Sequence, residues 1–346
     1  MALETLLGSA VVISSGLISG SGAWPMKLMR RYQFEHWWFV GMLTGLILVP
    51  WSVTLLFCPN VILALSSVPW RPLAIANLCA VGWGVANLLC GLCYVRIGMA
   101  LTTAMLTGFG VCMGVALPMV VKGSGLFQEA PGLGSRAGLV VLAGVPVALL
   151  GVILAARAGS GRELARQKTA PRAGVFSVAL LAAIAAGVLA CGMNLAFVYG
   201  QGAIVAAMKQ QGASAVPAVF AVWAAGLLGG ALLNVGYAML LMHRNRSWRV
   251  LIQNPKEFLL AAIIGMNLSI STVLAGHGML LLGTLGASVG GGLSLISWML
   301  GGQGVGFLTG EWREAARRSR RQMYFAIALL VVAALIMVWG NTLATT

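Results

Sequence analysis

The chain contains no aspartate. Seven glutamates supply every acidic side chain against 22 lysines and arginines, so the formal net charge is +15. Charged residues make up only 8% of the 346 and hydrophobic ones 60%, whereas soluble domains carry about 25% charged residues. A soluble enzyme and a disordered chain are both excluded. The basic excess does not imply nucleic acid. A nucleic-acid binder presents its basic residues on a solvated face with aromatics between them, and here they sit in short clusters between long apolar runs. Any G-x-x-x-x-G-K-[ST] run is also missing, so a pump driven by nucleotide has no phosphate-cradling loop. The six cysteines, Cys58, Cys79, Cys90, Cys93, Cys112 and Cys191, have no second pair and no His cluster to complete a metal site. They read as small apolar side chains, and neither a metal nor a cofactor is expected.

What abounds is apolar sequence in lengths of about 20 residues, as a membrane-spanning helix requires. Ten such stretches occur, at roughly 6-24, 37-57, 72-95, 98-121, 137-157, 173-199, 215-241, 258-282, 284-309 and 323-343. They are too long and too evenly apolar for transmembrane strands, which alternate over about ten residues. The first carries Glu4 ahead of it and no basic residue, unlike a secretory signal, and is expected to remain in the protein. The expectation is an all-α membrane protein of ten transmembrane helices with no sizeable extramembrane domain.

Eighteen of the 22 basic residues fall in the odd-numbered loops: Lys27, Arg30 and Arg31; Arg96; Arg157, Arg162, Arg166, Lys168 and Arg172; Arg244, Arg246, Arg249 and Lys256; Arg313, Arg317, Arg318, Arg320 and Arg321. The even loops hold Arg71, Lys122, Arg136 and Lys209. Short loops rich in Lys and Arg stay cytoplasmic, which places both termini outside, in the periplasm. A Gly-, Ser- and charge-rich segment, 158-172, divides the chain into a first five-helix repeat (1-157), a cytoplasmic linker and a second five-helix repeat (173-346). An odd number of spans per half inverts the second half relative to the first, a common plan in secondary transporters. The first and fourth spans of each half are similarly rich in Gly, Ser and Thr. Gly110/Gly114, Gly226/Gly230 and Gly302/Gly306 have the spacing that lets membrane helices approach closely.

The polar groups inside the spans are mostly uncharged: Asn87, Asn194, Asn234, Asn267, Gln303 and His277. An amide in hydrocarbon must be satisfied. Such amides either bond helix to helix or line a cavity that replaces water around a neutral polyhydroxylated solute, with Trp83, Trp223 and Trp298 available to stack on a sugar's C–H face. The remaining tryptophans, including Trp248 and Trp312, read as interfacial belts.

Several segments carry a family resemblance. Pro25-Met26-Lys27 with Arg30-Arg31-Tyr32-Gln33-Phe34-Glu35, Pro50-Trp51 with Pro59-Asn60, Trp83-Gly84-Val85-Ala86-Asn87, Gly229-Gly230-Ala231-Leu232-Leu233-Asn234 and Gly310-Glu311-Trp312 resemble the L-rhamnose-proton symporter family of the drug/metabolite transporter superfamily. The pieces run from the first helix to the last. The resemblance implies ten helices in two inverted five-helix repeats and import of L-rhamnose or a similar neutral sugar, with a co-transported proton, across the bacterial inner membrane. The motif positions are Pro25, Lys27, Glu35 and Asn87, and the candidate solute ligands are Asn87, Trp83, Asn194, Asn267, Gln303 and Lys27. Glu35 is expected to pair with the adjacent basic cluster. The family carries an Asp near the start of the ninth span, and this chain has none. Proton symport calls for a titratable group at membrane depth, and His277, the one side chain within a span that titrates near neutrality, is the candidate. A facilitative carrier without ion coupling, or an exporter of the same superfamily, is the alternative. Oligomeric state is not legible.

Overall fold

The computed structural model describes residues 2–22, 24–97, 99–166, 173–313 and 315–345, and all regular structure in them is helical. In lipid the backbone has no water to bond, so each span satisfies itself as a helix. The spans are α1 (Ala2–Ser21), α2 (Phe34–Phe57), α3 (Trp70–Ile97), α4 (Met99–Val121), α5 (Arg136–Arg166), α6 in two pieces (Ala173–Ala190 and Gly192–Gln210), α7 in two pieces (Ala215–Gly226 and Leu228–Arg244), α8 (Pro255–Leu281), α9 (Gly286–Leu308) and α10 (Arg317–Thr345). Among the described residues nine helices are long and apolar enough to cross a membrane. The two pieces of α7, bent by 57°, make a tenth if taken as one span. Each predicted stretch overlaps one of these, most within a few residues, but α6 runs on to Gln210 past the expected end at 199 and α10 starts at Arg317 ahead of the expected 323. α5 continues through Arg166, so part of the expected linker is helical, and 167–172 lie outside the described residues.

Three spans depart from regular helix at mid-length: α6 between its two pieces at Cys191, and α2 and α7, where the cause is local. Pro50 has no N–H to return to the carbonyl one turn back. The turn before it widens, and the Val49 N–H reaches the Thr44 carbonyl across Leu43–Leu48. In α7 the chain breaks between Gly226 and Leu228. There the Asn77 side chain of α3 donates from Nδ2 to the Ala225 carbonyl (2.9 Å) and accepts at Oδ1 from the Gly229 N–H (2.8 Å). One amide thus satisfies both sides of the break.

α1 packs against α8 and α9, and α6 against α3 and α4; α2 lies on α8, and α7 on α3; α2 meets α7, α4 meets α9 and α5 meets α10. α9 and α4 are the most buried of the nine spans. With lipid tails as apolar as leucine, helix association relies on close packing of small residues. A Cβ on Gly20 would overlap the Trp298 carbonyl, and one on Gly301 would lie 2.5 Å from the Leu17 carbonyl oxygen, so α1 and α9 cross backbone to backbone. Of the expected spaced pairs, Gly230 makes such an approach, whereas Gly114, Gly226 and Gly302 make only ordinary contacts.

Hydrogen bonds sort the loops into two faces. Loops 1, 7 and 9 meet through Lys27–Thr309, through Arg30, Arg31 and Tyr32 with Glu257, and through Glu35 with Asn245 and Ser247. Loops 2 and 6 meet through Asn60 and Gln211, and the short 3-10 turns Gly125–Glu129 and Gly283–Leu285 bring loops 4 and 8 together. The first set is basic, and the second carries few charges.

Candidate functional site

The expected solute ligands fall into two groups. The first lies where α3, α4, α6, α7 and α9 converge. Asn87 donates to Oδ1 of Asn234 (3.3 Å), and Asn234, fully buried, donates to the Gly230 carbonyl (2.8 Å). Asn194 donates from Nδ2 to the Ala287 carbonyl (3.1 Å), and its Oδ1 is buried with no hydrogen-bond partner among the described residues. A Cβ on Gly291 would press on the Asn194 amide and lie 3.2 Å from the Gly114 carbonyl oxygen, so α4, α6 and α9 meet at this asparagine. Trp83 is buried in the same apolar cluster as Phe197 and Trp223. A buried amide oxygen without a donor costs free energy, and a hydroxyl supplied by a solute relieves it.

The second group lies towards the basic face, on α1, α8 and α9. Asn267 backs onto Gly22, whose Cβ would lie 3.2 Å from that of Asn267. Neither Asn267 nor Gln303 makes a hydrogen bond among the described residues, both are half-buried, and a Cβ on neighbouring Gly304 would meet nothing within 4 Å. Lys27, in the 3-10 turn Trp24–Leu28, donates to Oγ1 of Thr309 (2.6 Å) and forms an ion pair with Glu311. The side chains of that pair are 41% and 31% exposed, and pairs of this kind contribute about 0–1 kcal/mol.

His277 stands apart from both groups. It continues the stripe Leu259, Met266 and Ile270, whose members are exposed on the surface of α8, and its ring makes no hydrogen bond among the described residues. The expected pairing of Glu35 with the basic cluster is corrected. Glu35 is buried in the first turn of α2 and accepts from Asn245 Nδ2 (2.9 Å) and Ser247 Oγ (3.3 Å). Glu257 reaches the basic segment instead, and through its backbone: Oε1 accepts from the Arg30 N–H (2.9 Å) and Oε2 from those of Arg31 (3.0 Å) and Tyr32 (2.7 Å). Burial and the neighbouring Glu257 carboxylate push the Tyr32 phenol up to about 12. Trp312, expected in an interfacial belt, is buried and stacks on Phe307 at 5.3 Å. All six cysteines are free thiols.

On the face opposite the basic loops, the loop after α4 is bonded to the second piece of α6. The Ser124 N–H donates to the Val198 carbonyl (2.9 Å), its hydroxyl donates to the Tyr199 carbonyl (2.6 Å) and accepts from the Gly202 N–H (3.0 Å), and Gln201 Nε2 donates to the Ser124 carbonyl (2.6 Å). Phe127 beside it is wholly buried against Phe197 (6.1 Å), which stacks on Trp223 (5.2 Å). Sequence reasoning missed Ser124, Glu257 and Asn77. Asn77 carried the same signal as the amides that were singled out, whereas Ser124 and Glu257 lie at loop positions with none.

Long apolar spans that bury uncharged amides at their crossings, joined by short loops, make this a multi-span helical membrane protein. The chain belongs to the L-rhamnose-proton symport protein (RhaT) family, whose model matches residues 14–344. It is accordingly a secondary transporter and a multi-pass protein of the bacterial inner membrane. It is similar to the L-rhamnose-proton symporter of Shigella dysenteriae serotype 1 (strain Sd197), with 25% identity over 328 residues and 90% of each chain covered. The L-rhamnose-proton symporter of Escherichia coli O17:K52:H18 (strain UMN026 / ExPEC) is 26% identical over 340 residues, covering 91% of this chain and 92% of the relative.

Proposed function

We propose that this protein imports L-rhamnose or a similar neutral sugar by alternating access of two inverted five-helix halves, with both termini in the periplasm. The observation that carries the reading is the buried, unpartnered Oδ1 of Asn194 where α4, α6 and α9 meet. A neutral hydroxylated solute supplies the missing donor, and no charge is present there to favour an ion. Part of the pattern of helix contacts supports the inverted halves, because exchanging α1–α5 with α6–α10 carries several contacts onto one another: α1 on α8 and α9 becomes α6 on α3 and α4, and α2 on α8 becomes α7 on α3. Membership of a family named for proton symport supports entry of a proton with the sugar. A second reading, facilitated diffusion, is favoured by one observation: aspartate is absent and His277 lies on an exposed stripe of α8.

Uptake of radiolabelled L-rhamnose into proteoliposomes, with and without an imposed pH gradient, tests both. Saturable uptake that an inward proton gradient accelerates supports symport, and saturable uptake indifferent to the gradient supports facilitated diffusion. Uptake that never saturates, or no uptake of L-rhamnose above that of protein-free vesicles, together with none of related neutral sugars, removes the sugar carrier.

A further inference from the structure

Two contacts close the two faces of the bundle, and they are built very differently. On one face the loop after α4 clamps the second piece of α6 through Ser124, with Phe127 wholly buried behind it. On the basic face the loop after α9 meets the turn after α1, and what joins them is the ion pair of Lys27 with Glu311, supported by Thr309. The two contacts are equivalents under the exchange of halves, since α4 and α6 stand to one another as α9 and α1 do.

We propose that the Lys27–Glu311 ion pair is the gate of the basic face, so that Lys27 positions the mouth of the pathway instead of binding solute. The proposal rests on the alternating-access reading above and names its moving contact. Lys27 and Glu311 lie beyond the ends of α1 and α9, the two spans that cross backbone to backbone at Gly20 and Gly301. A pivot at that crossing separates or joins the ends beyond it. Gln303, without a hydrogen-bond partner among the described residues, and Gly304, with empty space beside it, lie about 9 Å back along α9 from Thr309 at 1.5 Å per residue. Breaking the pair therefore opens a route from the basic face to a free amide. The seam at Ser124 spreads over several hydrogen bonds between half-buried and buried groups, backed by the wholly buried Phe127, and all of them must break together. The pair on the basic face is partly exposed, so water replaces it readily and charge, rather than packing, holds it.

The full-length protein carrying Gly304→Cys is reconstituted, and labelling at position 304 by a membrane-impermeant maleimide applied from the basic face is read by peptide mass spectrometry. Adding Lys27→Ala or Glu311→Gln is expected to raise the labelling rate about fivefold, the ratio corresponding to loss of a partly exposed ion pair. An unchanged rate in both overturns the gate. In a second arm, Lys27→Glu and Glu311→Lys each depress L-rhamnose uptake, and the double reversal recovers it to within about threefold of the parent, as a pairwise interaction requires. A double variant that folds, yet transports no better than the single ones, overturns it as well. The labelling arm needs no substrate. A parent protein that carries no L-rhamnose therefore sinks the sugar reading and leaves the gate to be decided by labelling alone.

Discussion

Asn194 uses half of its amide to hold α6 against α9 and leaves the other half unanswered. Replacing it by Leu keeps a side chain of similar size while removing both the Nδ2 bond and the free Oδ1. A hydrogen bond lost from the site is worth about 1–1.5 kcal/mol, so Asn194→Leu is expected to lower sugar uptake about five- to tenfold in proteoliposomes, with the protein still monodisperse in detergent. Asn87→Leu, which leaves Asn234 Oδ1 without its donor, is expected to do the same, and unchanged uptake in either removes that residue from the site. Tyr32 gives a second test at this scale. Its hydroxyl donates to the Leu251 carbonyl (3.0 Å), and only the neutral phenol can donate. Because its folded value is raised to about 12, the stability it confers is complete below the ordinary phenol range and is lost as pH climbs from about 10 to 12. Thermal unfolding in detergent should show a Tm that falls across that window, and Tyr32→Phe should flatten the fall while costing about 1 kcal/mol at neutral pH. A fall of equal size in the variant assigns the alkaline loss to other groups.

The long elements were legible because hydrocarbon dictates them: a run of about 20 apolar residues has almost no alternative to a helix. What happens inside those runs was not. The widened turn of α2 and the break in α7 depend on a proline's missing donor and on a side chain that arrives from another helix. Asn77, 152 positions before Gly229, carries no local mark of that partnership. The amides themselves were readable as a class, but which were already satisfied, as Asn234 is, and which were left open, as Asn194, Asn267 and Gln303 are, depended on the three-dimensional crossings. If the Asn77 amide holds α7 in its bent form, then Asn77→Leu strands a carbonyl and an N–H in a dry interior. That should cost about 2–6 kcal/mol at roughly 1–3 kcal/mol per unsatisfied group, seen as a lower Tm and poor yield. Asn77→Asp keeps the acceptor for the Gly229 N–H and loses the donor to Ala225, so it should fall between the two. A Tm for Asn77→Leu equal to the parent's leaves the bend to be explained by Gly226 alone.

For the molecule as a whole, the decisive pattern is the sorting of its loops. Loops 1, 7 and 9 bond to one another, and loops 2, 4, 6 and 8 approach one another. The basic residues of loops 1, 7 and 9 therefore gather on one face of the bundle. Because short basic loops are retained in the cytoplasm, we propose that this face is the cytoplasmic one and that the Lys27–Glu311 gate opens there. Alkaline phosphatase, which is active only when exported, reads this directly. Fused after Thr346 it is expected to be active, and fused within the loop that holds Arg244, Arg246 and Arg249 it is expected to be inactive, with a cytoplasmic fluorescent reporter giving the reverse. The same fusions discriminate ten spans from nine. If the bent pieces of α7 enter and leave by one face, as a re-entrant loop, the reporter sites on either side of α7 read alike and the second half no longer mirrors the first. Activity on the basic face would overturn the orientation, and with it the assignment of the Ser124 seam to the periplasmic mouth.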